Sequence, residues 1–167
     1  MHDIADPRAL RIAFGRFATG VAVVTTLARD GAPVGLTVNS FSSTSLDPPL
    51  VLWGLMRRSA LLPMFHAAQR FAVNVLAAEQ QPLSDRFASH AEDRFAGVGW
   101  EPGGAGMPLL HDALARFECA VEHRFEIGDH LMFLGRVERF EHRDGDPLLF
   151  FASRYTALRT VNLATAT

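Results

Sequence analysis

The hydrophobic and polar positions of this chain follow mainly the two-residue period of β-strands. Residues 21–27 form an almost uninterrupted β-branched run, and the Asp-Gly pair at Asp30–Gly31 that follows is typical of turns joining hairpin strands. Between residues 115 and 127, apolar side chains occupy every odd position except His123, while most even positions carry charge. This alternation predicts a half-buried antiparallel strand over 115–127.

Further strands are expected wherever apolar or β-branched runs recur between turn residues. Their predicted ranges are 34–46, 50–56, 71–77, 130–142 and 148–155. Asp47-Pro48-Pro49 and Gly128-Asp129 supply two of the breaks. Strands joined by short turns, with helices only at the periphery, predict a mainly β, closed or nearly closed antiparallel barrel in a single domain, residues 1–167.

Three short peripheral helices are predicted, over residues 7–20, 59–69 and 79–88. Asp6 can cap the first helix at Pro7, and one face of that helix is apolar through Leu10, Phe14, Phe17 and Ala18. The glycine-rich stretch 89–107 is expected to be a loop. Its length favours a functional or subunit-contacting role.

The composition argues against several classes of function. A net charge of −2 and a pI near 6.4 disfavour a nucleic-acid surface, which needs clustered positive charge. All 16 basic residues are arginine, so a Schiff-base lysine and a phosphate-loop lysine are absent. Cys119 is the only cysteine, is expected in the core, and excludes an intrachain disulfide. Without a membrane-spanning apolar run or a signal-peptide pattern, a soluble cytoplasmic protein is expected.

No motif of the chain supplies a catalytic centre of its own. Gly103–Gly106 is neither a dinucleotide fingerprint nor a phosphate loop, and no serine lies in a nucleophile elbow. The seven histidines lack metal-ligand spacing, so no metal site is expected. A barrel of this kind would leave the chemistry to a cofactor.

Hydroxyl and amide side chains concentrate between Gly35 and Pro49. The strand and its exit loop carry Thr37, Asn39, Ser40, Ser42, Ser43 and Ser45. Any single hydroxyl could satisfy a turn or a barrel edge. Six such side chains together favour a bound polar ligand, because buried polar groups need partners.

Five segments, in this order, resemble one protein family. They are GVAVVTT at 20–26, GLTVNSFSSTSLDPPLVLWGL at 35–55, FAVNVLA at 71–77, RFECAVEHRFEIGDHLMFLGRV at 116–137, and PLLFF followed by RY at 147–155. The chain is similar to the flavin reductase-like family, whose fold is the FMN-binding split β-barrel, antiparallel and Greek-key-like. The resemblance runs from Phe14 to Tyr155.

This resemblance implies an NAD(P)H:flavin oxidoreductase that works as a homodimer. It would bind FMN or FAD, take electrons from NADH or NADPH, and supply reduced flavin to a separate flavin-dependent monooxygenase. The positions that match the family's flavin-binding strand and loop are Thr37, Val38, Asn39, Ser40, Phe41, Ser42, Ser43 and Ser45. Those matching its phosphate-binding helix entry are Arg57, Arg58 and Ser59. Asn74 is expected near the isoalloxazine, and His130 is the implied catalytic residue, where nicotinamide stacks on the flavin. Tyr155 is a further candidate for cofactor binding, which could border the flavin or only pack.

The chemistry of the residues agrees with these expectations. Isoalloxazine has apolar faces and one polar edge, which the amides of Asn39 and Asn74 would suit. In a lysine-free chain, the segment 57–59 offers the best donors for a phosphate. His130 follows Asp129, which either hydrogen-bonds the imidazole or serves only as a turn residue.

Hydride transfer from a dihydronicotinamide to flavin needs no protein nucleophile, so the absence of a catalytic triad fits this reading. Two alternatives stay open at this point. One is a flavin-binding electron carrier or storage protein without efficient NAD(P)H turnover. The other is a reductase of the same fold with another acceptor, such as a corrinoid; a pyridoxamine-phosphate-oxidase relative is disfavoured by the lack of lysine.

Overall fold

The computed structural model describes residues 6–158, and most of its regular structure is antiparallel β-sheet. The strands are β1 (Thr19–Gly20), β2 (Ala22–Leu27), β3 (Pro33–Val38), β4 (Ser42–Leu46), β5 (Pro49–Met56), β6 (Arg70–Val75), β7 (Trp100–Pro102), β8 (Pro108–Leu110), β9 (Ala115–Ile127), β10 (His130–His142), β11 (Leu149–Phe151) and β12 (Arg154–Thr156). The helices are α1 (Pro7–Phe14), α2 (Leu62–Ala67) and α3 (Gln81–Ala88), the last preceded by a 3₁₀ turn at Ala78–Gln80.

The main sheet has seven strands in the order β3-β2-β6-β9-β10-β5-β4. Strands β3 and β4 are consecutive in the chain, yet they occupy opposite edges. In a flat sheet those edges would lie about 29 Å apart, whereas the residues linking them can span only about 14 Å. The sheet must therefore curl until its edges approach, without closing by strand pairing. The prediction of a nearly closed antiparallel barrel is confirmed.

Aromatic side chains fill the interior of the curled sheet. The Trp53 ring stacks on Phe133 at 4.4 Å between centroids, and it makes edge-to-face contacts with Phe65 and Phe71. All four side chains are fully buried. Burial of each contributes about 1.5–3 kcal/mol. Phe65 belongs to α2, the helix that connects β5 to β6 in the chain. This helix therefore covers part of the sheet interior.

A second core lies outside the sheet, where α3 and the β7–β8 hairpin pack. Phe87 and Phe95 meet there edge to face at 4.9 Å, together with Leu110 and Leu148. Gly35 is required at this interface, because a Cβ on it would lie 2.7 Å from the Phe87 ring. Helix α3 can therefore lie directly against β3. None of the helices within residues 6–158 is long and apolar enough to cross a membrane.

The structure corrects two of the predicted element ranges near the start of the chain. The predicted strand 34–46 is two strands, because the chain leaves β3 after Val38 and crosses to the opposite edge of the sheet. The predicted helix 7–20 ends at Phe14. After it, Thr19–Gly20 pairs with Leu149–Phe150, and Ala152 donates its backbone N–H to Gly15. Long-range strand pairing thus overrides the local helical pattern.

Three further ranges differ from the predictions. The helix predicted from Ser59 starts at Leu62, because the preceding residues form a turn. The predicted loop 89–107 contains β7, which pairs with β8. The predicted strand 148–155 is a tight hairpin, in which Ala152 and Ser153 adopt positive φ values of 50° and 63°.

Strand β9 has the predicted bounds but not the full predicted burial pattern. Phe125 and Ile127 are exposed at its far end, whereas Glu118 is only 4% exposed. The Glu118 carboxylate accepts the backbone N–H groups of Gly104 and Ala105, at 3.0 and 2.8 Å. The glycine-rich loop therefore folds over a charged position of the strand, and hydrogen bonds compensate for its burial.

Candidate active site

A large cavity of about 1070 Å³ lies beside β3, at one edge of the curled sheet, and extends to the end of β5. Its first wall is β3 with the two residues that follow it. The second wall is the end of β5 with the turn before α2, and the third is the end of α3 with residues 88–95. The predicted site residues that line it are Thr37, Val38, Asn39, Ser40, Arg58, Ser59 and His130.

Ser40 joins the first two walls. Its hydroxyl donates to the Gly54 carbonyl at 3.2 Å and accepts the Gly54 N–H at 3.0 Å. A Cβ on Gly54 would lie 2.8 Å from the Met132 sulfur and 3.5 Å from Cδ2 of His130. Glycine at position 54 therefore leaves room for the Met132 and His130 side chains of β10. Ser40 shapes the cavity mainly by holding this backbone contact.

His130 is the first residue of β10 and pairs with Met56 across the sheet. Its Nδ1 lies 2.7 Å from a carboxylate oxygen of Asp129. The bond to the imidazole is the largest cause of a lowered pKa for Asp129, with a further contribution from Arg58. Asp129 is therefore ionised at neutral pH, and its carboxylate occupies one ring nitrogen of His130 with a hydrogen bond. The sequence allowed Asp129 either to hydrogen-bond the imidazole or to serve only as a turn residue, and the structure shows the hydrogen bond.

The segment 57–59 divides its side chains between the cavity and the outer surface. Arg58 lines the cavity, and within residues 6–158 it has no carboxylate partner at ion-pair distance. Arg57 instead lies outside the cavity lining, 3.5 Å from Glu126. Ser59 accepts the N–H of Leu61 at 3.3 Å. Arg58 and Ser59 are thus the donors that line the cavity, and the role expected for Arg57 stays a prediction.

The structure does not bring the Asn74 side chain to the cavity. Asn74 is fully buried in β6, and its amide nitrogen donates to the Val23 carbonyl at 3.1 Å and to the Thr25 hydroxyl at 3.3 Å. Its oxygen accepts the N–H of Leu110 at 2.8 Å. Because every polar atom has a partner within the fold, Asn74 ties β6 to β2 and β8. Its expected place beside the isoalloxazine stays a prediction.

The polar residues of β4 also lie away from the cavity lining of this chain. Ser42 and Ser43 are exposed on the edge strand, and Ser45 is half-buried. Phe41 stacks on Phe117, with 5.8 Å between the ring centroids. The cause is the crossing after Val38, which carries everything beyond Ser40 to the opposite edge of the sheet.

Tyr155 lies behind the cavity wall rather than in it. Its hydroxyl is 2.8 Å from the hydroxyl of Ser84 in α3, and its ring meets Phe150. Tyr155 lines a smaller cavity of about 570 Å³ beside Ile12 and Arg16. The described contacts of Tyr155 are packing contacts and one hydroxyl contact, and its expected place beside the flavin stays a prediction.

The third wall contains residues that the sequence did not single out. Arg94 donates to the carbonyls of Gly35 and Ser89, and burial lowers the pKa of its guanidinium. His90 and Asp93 also line this wall. The signal available in the sequence was the length of the predicted loop 89–107, which favoured a functional role without naming a residue.

The cavity has the chemistry that a flavin requires. Its apolar surface comes from residues such as Leu36, Val38 and Leu55, and its polar groups converge at Asn39, Arg58 and neighbouring positions. A volume of about 1070 Å³ reaches the upper end of ordinary ligand sites and is large enough for a cofactor. Among residues 6–158, no three His, Cys, Asp or Glu side chains cluster as metal ligands would.

This architecture and cavity define a split-barrel protein with a cofactor-sized site. Residues 14–159 match the model of the flavin reductase like domain, and the chain belongs to that family. It is 48% identical over 145 residues to the FMN reductase (NADH) SmoA of Agrobacterium fabrum, covering 87% of this chain and 82% of that protein.

Two further proteins show how far the similarity extends. The chain is 42% identical over 157 residues to HsaB of Rhodococcus jostii, the reductase subunit of a flavin-dependent monooxygenase, covering 93% of this chain and 80% of that protein. The structure of the NADH:FAD oxidoreductase SgcE6 of Streptomyces globisporus, in complex with NAD and FAD fragments, matches with a TM-score of 0.90 at 38% identity and covers 98% of each chain. Other relatives are longer: the chain spans 45% of one from Rhizobium meliloti.

Proposed function

We propose that this protein is an NADH-dependent flavin reductase that supplies reduced FMN or FAD to a separate flavin-dependent monooxygenase. The observation that carries the proposal is the cavity, which joins the Thr37–Ser40 segment, Arg58, Ser59 and His130 in a chain of the flavin reductase family. The names of SmoA and SgcE6 state that they use NADH, which supports NADH as the electron donor. HsaB is named as the reductase subunit of a flavin-dependent monooxygenase, which supports a monooxygenase as the partner.

A flavin bound here would supply the redox chemistry, which is acceptance of a hydride from a dihydronicotinamide. Arg58 and Ser59 would hold the flavin phosphate through charge-assisted and neutral hydrogen bonds. The apolar side chains of β3 and β5 would cover the ring faces and exclude water. Asn39, exposed at the end of β3, would meet the polar ring edge.

His130 would orient the nicotinamide. Because Asp129 commits Nδ1, the ring is held in one orientation, and Nε2 is the nitrogen left for a ligand. Positioning two flat rings in stacking contact lowers the barrier by removing the entropy of encounter. No proton need leave a protein group during this step.

Anaerobic mixing with NADH tests the proposal. The protein is loaded with FMN or FAD, and the visible flavin absorbance is followed after NADH or NADPH is added. Rapid bleaching with NADH is expected, with turnover when flavin is in excess. Flavin that binds but stays oxidised would show a carrier rather than a reductase, and absence of binding would overturn the assignment of the cavity.

We further propose that the protein is a cytoplasmic homodimer. The apolar face of α1 and the turn after it is uncovered, with Ile12, Phe14 and Phe17 exposed at 54%, 71% and 78%. No residue of α1 is buried. A second copy of the chain would cover this face, as the family resemblance implies. The cytoplasm would supply the reduced nicotinamide.

A further inference from the structure

Helix α3 is fastened to β3 at the place where both line the large cavity. The Thr37 hydroxyl donates to the backbone carbonyl of Ser84 at 2.7 Å. One helical turn later, Phe87 packs against Gly35, where no Cβ would fit. Thr37, Gly35 and Phe87 all line the cavity. Any shift of α3 along β3 would therefore change the shape of the site.

The same residue of α3, Ser84, also contacts the C-terminal hairpin. Ser84 is fully buried, and the hydroxyl of Tyr155 on β12 lies 2.8 Å from its own. Burial is the largest cause of a raised pKa for Tyr155, so its hydroxyl stays protonated at neutral pH. A continuous chain of polar contacts thus runs from Tyr155 through Ser84 to Thr37.

We propose that Tyr155 is a positioning residue for the large cavity, which fixes α3 through Ser84 and thereby holds Thr37 and the wall at residues 88–95. It acts without touching the ligand. Without the Tyr155 hydroxyl, the Ser84 hydroxyl is buried beside an apolar ring edge and must turn to a carbonyl of its own helix. The helix then loses its anchor to β12, and the cavity wall that follows it is less well fixed.

This inference rests on the proposed function, since its main readout is flavin affinity. The test compares Tyr155→Phe, Thr37→Val and the double variant, with Thr44→Val on the exposed edge strand as the matched control. Flavin dissociation constants are measured by fluorescence titration, and hydrogen exchange is measured along the chain. Tyr155→Phe removes one oxygen and keeps the ring.

Tyr155→Phe is expected to weaken flavin binding about tenfold. Hydrogen exchange should accelerate in α3 and residues 88–95 while β9 and β10 keep their protection. Because the two hydroxyls act in one chain, the double variant should bind flavin about as weakly as the weaker single variant. Thr44→Val should bind like the unaltered protein.

Three results would overturn the inference: a dissociation constant for Tyr155→Phe within about twofold of the unaltered protein, strictly additive effects in the double variant, or faster exchange spread evenly over the whole sheet. If the unaltered protein binds no flavin, the proposed function fails instead. The exchange pattern then still decides whether Tyr155 fixes α3.

Discussion

At the residue scale, His130 lines the cavity, and one of its ring nitrogens is hydrogen-bonded to Asp129. Asp129 holds Nδ1 at 2.7 Å, and the Arg57 N–H donates to the Asp129 carbonyl at 2.9 Å. The turn that carries the histidine is thereby tied to the segment 57–59. This backbone hydrogen bond therefore connects the segment proposed to bind the phosphate with the turn that carries His130, the residue proposed to orient the nicotinamide.

Replacing His130 by alanine should slow reduction without releasing flavin. If the imidazole orients the nicotinamide, kcat/KM for NADH falls about tenfold or more, equivalent to about 1.4 kcal/mol. Stopped-flow reduction of the flavin-loaded variant measures this. His142→Ala, at the exposed far end of β10, is the control. An unchanged reduction rate across NADH concentrations would remove His130 from the mechanism.

The phosphate should be recognised by Arg58 and Ser59. Their joint replacement by alanine is expected to weaken FMN more than riboflavin, because only FMN loses charge-assisted hydrogen bonds of about 1.5–3 kcal/mol each. Isothermal titration with both ligands measures the difference. Arg57→Ala should have the smaller effect, since that side chain faces Glu126. Equal weakening of FMN and riboflavin would place the phosphate elsewhere.

Cys119 should be chemically silent in the folded protein. The side chain is fully buried, and burial raises its pKa to about 12. The reactive thiolate is favoured only as pH approaches that value, so alkylation at about pH 8 should be negligible until the chain unfolds. Mass spectrometry after iodoacetamide treatment, with and without denaturant, checks this. Rapid labelling of the native protein would show that β9 opens locally.

At the scale of elements, the buried Glu118 carboxylate fastens the β7–β8 hairpin to β9. It accepts two backbone N–H groups from the loop of that hairpin. A glutamine at this position keeps one acceptor but turns an amide nitrogen toward a donor. The substitution therefore leaves a buried polar conflict that water cannot relieve.

Glu118→Gln is expected to lower the free energy of unfolding by about 2 kcal/mol. Glu122→Gln, on the same strand and paired with Arg136 at the surface, should cost less than about 1 kcal/mol. Urea denaturation of the two variants measures both values. Equal losses would mean that the loop contact contributes nothing beyond a surface ion pair.

At the scale of the whole molecule, exposed apolar side chains concentrate on α1 and the turn that follows it. Phe14 and Phe17 are both more than two-thirds exposed. Burying one such side chain in an interface contributes about 1.5–3 kcal/mol. A homodimer that covers this face would remove the exposure.

Light scattering at micromolar concentration should therefore report twice the chain mass of 18.3 kDa. Phe14→Glu should shift the equilibrium toward monomer, because a charge in the covered face must be desolvated. Phe140→Glu replaces an equally exposed phenylalanine on β10 and should leave the dimer intact. A single 18.3 kDa species in the unaltered protein would contradict the proposal.

Local pattern was sufficient for much of the fold. The strands at 22–27, 115–127 and 130–142 appear where their residues predict them, because β-branched runs and alternation act between near neighbours. The family resemblance, carried by order and spacing of motifs, is also a property of the sequence alone. So is the choice of arginine for a phosphate, because a chain without lysine has no other side chain that is always cationic.

The tertiary structure decided which of those residues meet. The crossing after Val38 separates Ser40 from the serines of β4, and no local signal marks it, because it depends on how seven strands are ordered. The Asn74 side chain accepts the N–H of Leu110, 36 residues away. Arg94 is held at the cavity by its hydrogen bond to the carbonyl of Gly35. These partners are distant in sequence, so their contacts arise only when the sheet curls.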